Sequence, residues 1–79
     1  TEAAERVIDF AFEDMGLNRI ELEVMATNER SIALASRLGF VSEGVMRDFS
    51  KFKGELHDEV CLSLLRRDPR PWRKDATSV

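Results

Sequence analysis

The sequence is poor in the residues that mark secreted, membrane-spanning or disordered chains. Its 79 residues include one cysteine, two prolines, four glycines, one tryptophan and no tyrosine. A single cysteine excludes an internal disulfide, and so few prolines and glycines exclude a low-complexity segment. No apolar run approaches the roughly 20 residues that a membrane-spanning helix needs, and no stretch has the pattern of a secretory signal. We therefore expect a cytoplasmic globular protein without a membrane partner.

Charge is distributed unevenly along the chain. Residues 1–65 are acidic overall, whereas residues 66–79 carry five basic and two acidic side chains. An acidic body argues against a nucleic-acid surface and favours a basic substrate, so we do not expect a nucleic-acid partner. For the basic tail, which also holds Pro69, Pro71 and Trp72, a solvated terminus is the favoured interpretation.

Hydrophobic periodicity predicts five elements in the order helix, strand, helix, strand, strand. Helical spacing predicts one amphipathic helix over residues 1–15, which ends at Gly16, and alternation predicts a strand over 19–26. The remaining predicted elements are a helix over 28–38, an extended segment over 40–49 with a bend at Glu43 and Gly44, and a strand over 57–65 that follows a turn at 53–55. This order predicts an α+β fold of one domain whose first strand has an open edge.

The stretch that carries most of the polar chemistry is MATNERSIALASRLGF, residues 25–40. Asn28 is a suitable N-cap, Glu29 complements the helix dipole, and Ser31 places its hydroxyl near the cap. A strand that leads into a capped helix presents free backbone N–H groups at the edge of a sheet, where a polar ligand can bind. An ordinary packing helix is the favoured alternative from this pattern alone, because caps and glycine stops occur on most helices.

Other candidate residues have ordinary structural interpretations. His57 and Asp58 could form a general base held by a carboxylate, but a polar pair at a strand start is favoured because the two residues lie far from Asn28 in the sequence. Cys61 is expected to pack as a small hydrophobe, and all five phenylalanines are expected in the core. We predict no metal site.

The segment NERSIALASRLGFVSEGVMRD, followed after a short gap by GELHDEVCLSLLRRD, resembles the C-terminal half of the GNAT acetyltransferase superfamily. Within that superfamily it is most similar to the ribosomal-protein N-acetyltransferase (RimJ/RimL) branch. The opening TEAAERVIDFAFEDMGLNRIELEV resembles the helix and strand that follow the phosphate-binding loop of the family. The resemblance covers residues 1–68, which we expect to be the C-terminal half of an acetyltransferase domain, with residues 69–79 as a basic, proline-containing tail.

This resemblance implies a mixed sheet in which the last strand lies between the two preceding strands. It also implies an enzyme that transfers an acetyl group from acetyl-CoA, its co-substrate, to an amine such as a protein N-terminal α-amine. Ser31 corresponds to the serine proposed as general acid toward the thiolate, and Asn28 to the asparagine near the thioester or pantetheine arm. The other implied acetyl-CoA contacts are Thr1 at the phosphate-binding helix start, Met25 and Ala26 in the splayed strand, Ser31 itself, and Arg37.

Three departures from the family pattern bear on activity. The glycine-rich phosphate loop is absent from the chain, which begins at Thr1, so we expect a piece of a longer protein. Ala35 stands where many acetyltransferases have a tyrosine that acts as the general acid. Ser50 stands where some ribosomal-protein members have a proposed base, so Glu43, Asp48 or a group outside the chain remains as a candidate base. The alternative function is a non-catalytic piece that pairs through its open sheet edge, either as a homodimer or with its other half.

Overall fold

The structure, a computed structural model, describes residues 2–73. In chain order the elements are α1 (Glu2–Asp9), a π-helical turn (Phe10–Asp14), β1 (Arg19–Met25), α2 (Glu29–Arg37), β2 (Val41–Phe52) and β3 (Glu55–Leu65). The α+β class and the predicted order of helices and strands are confirmed. No helix in this part of the chain combines the length and the hydrophobicity that a membrane crossing requires.

The last strand occupies the centre of the sheet, in the order β1-β3-β2. This confirms its predicted position between the two preceding strands. Both pairings are antiparallel. Because β3 separates β1 from β2, these two strands run in the same direction without pairing, so residues 2–73 contain no parallel pair of the kind that a mixed sheet has. Within the same residues, β1 and β2 are the two edge strands.

β2 departs from regular pairing at two places. The register shifts between Ser42 and Gly44, which confirms the predicted bend there. A second shift lies between Met46 and Ser50, where Asp48 has a φ of 50°. This second irregularity was not predicted, since nothing in the local sequence resembles a glycine bulge. Bulges bend a strand and redirect its backbone groups, and here the Asp48 N–H donates to the Asp58 side chain of β3.

The core lies between the helices and one face of the sheet. Phe12, Leu62 and Leu64 are fully buried, and apolar residues of both helical segments pack around them. The prediction that all five phenylalanines lie in the core is wrong for three of them, because Phe10, Phe49 and Phe52 are each 53% exposed. The last two residues belong to the far part of the β2–β3 hairpin, beyond the described helices.

The sequence predicts one continuous helix over residues 1–15, but only its first part is α-helical. After Asp9 it widens into the π-helical turn, in which Met15 N–H donates to Phe10 O at 3.0 Å. Gly16 ends it with a φ of 73°, as predicted. Two large apolar residues of this amphipathic segment, Val7 and Met15, are 67% and 59% exposed. Part of that face borders an open apolar groove of about 380 Å³ between the first helix and β1, lined by residues that include Val7, Ile20 and Leu22.

The chain beyond β3 returns to the helices. Residues 69–73, called the C-terminal strap below, cross the end of α2 and reach the first helix. Arg70 in this strap is only 8% exposed and pairs with Asp9 and Glu13, each at 2.8 Å. The favoured interpretation of a solvated basic terminus is therefore wrong for Arg70. The sequence showed the cluster of positive charge but not its acidic partners, which lie at the other end of the chain.

Candidate functional site

The junction between β1 and α2 holds four of the predicted site residues. β1 ends at Met25, and the Asn28 N–H donates to Met25 O at 2.8 Å across the turn. The side chain of Asn28 caps α2, because its Oδ1 accepts from the Ser31 N–H at 3.2 Å. This confirms the predicted cap. Since the cap engages Oδ1, the NH₂ group is the part of the exposed Asn28 side chain that can donate to a ligand.

The backbone at the end of β1 offers donors in two directions. The Ala26 N–H points to β3, where it donates to Asp58 O at 2.9 Å. The N–H groups of a strand alternate between its two sides, so the Met25 N–H points to the outer edge of β1. Met25 and Ser31 are half-buried. A carbonyl group placed against this edge would therefore meet the Met25 N–H on one side and the start of α2 on the other.

Asp58 reaches this junction from β3. Its backbone oxygen accepts from Ala26, and its side-chain Oδ1 accepts from the Asp48 N–H at 2.8 Å in the second bulge of β2. His57 and Asp58 lie near the start of β3, and Asp58 joins the turn after β1 although it is remote from Asn28 in the sequence. Antiparallel pairing brings such residues together. Asp58 therefore meets the β1–α2 junction through its backbone, whereas its carboxylate contacts the second bulge of β2.

A signal for this proximity was present in the sequence. The inward residues of β1 oppose those of β3 in the structure, with Ile20 against Leu64 and Leu22 against Leu62. Aligning the two alternating apolar patterns in antiparallel register would have placed Asp58 beside Ala26.

Glu43, a candidate base from the sequence, lies away from the junction and is a weak proton acceptor. It accepts from Arg19 at 2.6 Å and from the Ser63 hydroxyl at 2.7 Å. These hydrogen bonds lower the pKa of Glu43 to about 2. Arg19 begins β1, whereas Met25 ends it, and this seven-residue strand separates Glu43 from the junction by about 20 Å at about 3.3 Å per residue.

The remaining predicted site residues are not gathered at the junction. Arg37 is exposed at the C-terminal end of α2, where its charge complements the helix dipole. Thr1 lies outside the described residues. Ser50 follows the second bulge, and within residues 2–73 its buried hydroxyl oxygen has no hydrogen-bond partner.

The face of the sheet opposite the helices is acidic. Glu21, Glu23 and Cys61 place their potential ligand atoms within 4.8 Å of one another there. Hydrogen bonding from Arg19 lowers the pKa of Glu21, whereas a hydrogen bond with Glu21 raises the pKa of Glu23. Burial raises the pKa of the Cys61 thiol. Cys61 is half-buried beside these carboxylates. A protonated thiol and an ion-paired carboxylate make this group a poor metal ligand set.

Comparison with known proteins connects this junction to a family. Residues 1–41, more than half of the chain, match the family model described as "Acetyltransferase (GNAT) domain". Over 68 residues the chain is 44% identical to "Uncharacterized N-acetyltransferase p20" of Bacillus licheniformis, covering 86% of this chain and 38% of that protein. Over 68 residues it is 41% identical to "Putative ribosomal N-acetyltransferase YdaF" of Bacillus subtilis (strain 168), covering 86% of this chain and 37% of that protein.

A solved structure agrees with the sequence relatives. A GCN5-related N-acetyltransferase from Brucella melitensis matches with a TM-score of 0.79 and 32% identity, over 82% of this chain and 29% of that chain. The chain therefore spans under two fifths of the length of the relatives that it matches. Sequence, fold and the capped strand–helix junction agree: the chain belongs to the GNAT acetyltransferase family.

Proposed function

We propose that this chain supplies the acetyl-CoA-binding junction of an N-acetyltransferase that transfers an acetyl group to an amine. The observation that carries this proposal is the Asn28-capped start of α2 at the end of β1, beside Ser31. At this helix start the Glu29 and Ser31 N–H groups already donate to Thr27 O and Asn28 Oδ1, so its positive dipole end is what suits the amide and thioester carbonyl groups of an acylated pantetheine arm. Family membership supports acyl transfer, and the identities of the donor and the acceptor are the parts proposed.

Each residue of the junction receives a role from its position. The Met25 N–H, at the outer edge of β1, donates to the thioester oxygen, which gains negative charge when an amine attacks. The NH₂ group of Asn28 donates to the pantetheine arm, and the backbone at Ala26 holds the turn against β3. Arg37 and Thr1 stay as predicted contacts to the distal part of acetyl-CoA.

The reaction forms a C–N bond to the acetyl carbon and breaks its C–S bond. A neutral amine attacks, and it passes its proton through water to a carboxylate, a role that we assign to Asp58, whose backbone pairs with Ala26 at the junction. The departing sulfur takes a proton from the Ser31 hydroxyl, which is resupplied from water. Much of the rate enhancement would come from orientation, because the junction holds both reacting groups in place.

The acceptor is proposed to be an amine of a protein, such as an N-terminal α-amine in the cytoplasm. Support comes from the relative whose name includes "ribosomal N-acetyltransferase" and from the acidic character of residues 1–65. An acidic surface attracts cationic amines before they are deprotonated for attack.

The test is a calorimetric titration of the chain with acetyl-CoA, followed by an assay of thiol release with a panel of amines and N-terminal peptides. Ser31→Ala should retain binding but lower the rate by about 10²-fold, since proton transfer is impaired. Ser36→Ala is the matched control, because Ser36 is an exposed serine of the same helix. Absence of acetyl-CoA binding would refute the proposal. Equal rates for Ser31→Ala and Ser36→Ala would refute the role of Ser31 alone.

A second candidate function is supported by the open edge of β1. Within residues 2–73 this strand pairs on one side only, and the apolar groove of about 380 Å³ lies beside it. An unpaired edge next to exposed apolar surface favours pairing with another polypeptide, so the chain could be a non-catalytic module that forms a homodimer or complements another segment. Light scattering over a range of concentrations tests self-pairing, and a strictly monomeric chain would exclude the homodimer.

A further inference from the structure

The C-terminal strap joins the two helical segments. Its path crosses the end of α2 so closely that a Cβ atom at Gly39 would lie 3.1 Å from Pro69 O. Three residues later, the Trp72 indole N–H donates to Asp9 Oδ2 at 3.0 Å on the first helix. The strap is therefore a tie between the end of α2 and the end of α1 rather than a loose terminus.

Arg70 forms the central contact of this tie. Its side chain is only 9% exposed, and its two terminal nitrogens contact Asp9 and Glu13 at 2.8 Å each. Its guanidinium also lies 5.0 Å from the centroid of the fully buried Phe12 ring. The planar fork of an arginine can satisfy two carboxylates at once, whereas a lysine presents a single point charge. Arg73 adds a second cation, 3.1 Å from Glu13.

The two carboxylates flank the part of the helix that is π-helical. Asp9 is the last residue of α1, and Glu13 lies within the turn Phe10–Asp14. Arg66 holds the other side of this turn, because its guanidinium donates to Phe12 O and to Leu17 O. A π-turn holds one residue more than the α-helix that would replace it, so a return to α geometry would rotate the preceding helix by about 100°.

We propose that Arg70 is a positioning residue for acetyl-CoA: by fixing the first helix through Asp9 and Glu13, it orients the helix start that meets the phosphates of the ligand. The inference rests on the proposed function, in which that helix start is the phosphate-binding end. Arg70 itself touches no ligand. It acts because the π-turn, which it bridges, determines the direction in which the preceding helix presents its N–H groups.

The test compares two ligands on the 79-residue chain. Acetyl-CoA carries the phosphates, whereas S-acetylpantetheine carries only the thioester arm, and binding of each is followed by calorimetry and by NMR shifts. Arg70→Ala should weaken acetyl-CoA binding by about tenfold or more, the equivalent of one lost hydrogen bond to a charged group, and leave S-acetylpantetheine binding unchanged. Arg67→Ala removes the same charge from an exposed position nearby and is the matched control.

Two further variants keep the test decisive if Arg70→Ala fails to fold. Arg70→Lys keeps the charge but not the fork, and Glu13→Gln keeps the shape of the partner but not its charge. Each should weaken acetyl-CoA binding relative to Arg67→Ala and leave S-acetylpantetheine binding unchanged, and hydrogen exchange should rise in residues 2–14 before it rises in the sheet.

The outcomes separate this inference from the proposed function. A wild-type chain that binds neither ligand refutes the proposed function, and the inference falls with it. A wild-type chain that binds both, with Arg70 variants equal to Arg67→Ala, overturns the inference alone. Equal weakening of both ligands by Arg70→Ala also overturns it, because a general loss of structure would then explain the effect.

Discussion

Replacement of Asn28 separates its structural role from its proposed role in binding. The Oδ1 atom of Asn28 caps α2 by accepting from the Ser31 N–H at 3.2 Å, which leaves the NH₂ group for a ligand. Asn28→Asp keeps an oxygen at the cap and adds a charge that the helix dipole favours, but it removes the NH₂ donor. Asn28→Ala removes both. The two variants therefore share a loss of binding and differ in stability.

The expected magnitudes are measurable for a domain of this size. Loss of the cap in Asn28→Ala should lower the free energy of unfolding by about 1 kcal/mol, against a total on the order of 4–12 kcal/mol for a chain of this length. The melting temperature should fall by about 4–8 °C. Asn28→Asp should melt at or above the wild-type temperature. Both variants should bind acetyl-CoA about 3- to 10-fold more weakly, the equivalent of one lost hydrogen bond.

Thermal unfolding by circular dichroism and calorimetric titration with acetyl-CoA together test this reasoning. Wild-type affinity in Asn28→Asp would show that the NH₂ group contacts no ligand, and the proposed role of Asn28 would be wrong. Equal destabilisation by Asp and Ala would show instead that the Oδ1 hydrogen bond does not stabilise the helix.

Three further substitutions test the core, the α2 terminus and the acidic face by denaturant unfolding. Leu62→Ala, at a fully buried position of the central strand, should lower the free energy of unfolding by about 2–5 kcal/mol. Leu56→Ala, at a 59% exposed position of the same strand, should change it by about 0.5 kcal/mol or less. Similar losses of stability in the two variants would contradict the assigned core. Gly39→Ala should cost about 1–2 kcal/mol, because Gly39 has a φ of 100° and a Cβ there would press on Pro69 O; unchanged stability would refute the close approach of the strap. Glu43 has a pKa of about 2, below its ordinary 4.5, so the stabilisation that it provides is complete above pH 4.5 and is lost as the pH falls toward 2. Glu43→Gln should flatten that part of the pH profile, and an unaltered profile would rule out the ion pair as its source.

Much of the site could be predicted because it is local. The cap at Asn28, the end of the second helix near Leu38 and the bend at Gly44 depend on residues within one or two turns of the chain, where side-chain type and backbone preference act directly. Alternation in β1 and β3 identified the strands, and the family motifs supplied their order, which the structure confirms. No comparable local signal marked the π-helical turn, since one of its carbonyl groups, Phe12 O, accepts from Arg66, which lies beyond β3.

By itself, the sequence determined the element types, the caps and the family, because each depends on short-range pattern or on motifs that survive in relatives. Tertiary structure alone decided which distant residues meet. It placed Asp58 beside Ala26, bound Glu43 to Arg19 away from the junction, and buried Arg70 against Asp9 and Glu13. These contacts depend on strand register and on the return of the chain over its own first helix, and their partners are not encoded in the residues next to them. Only packing of the whole sheet and helix layer specifies such pairs.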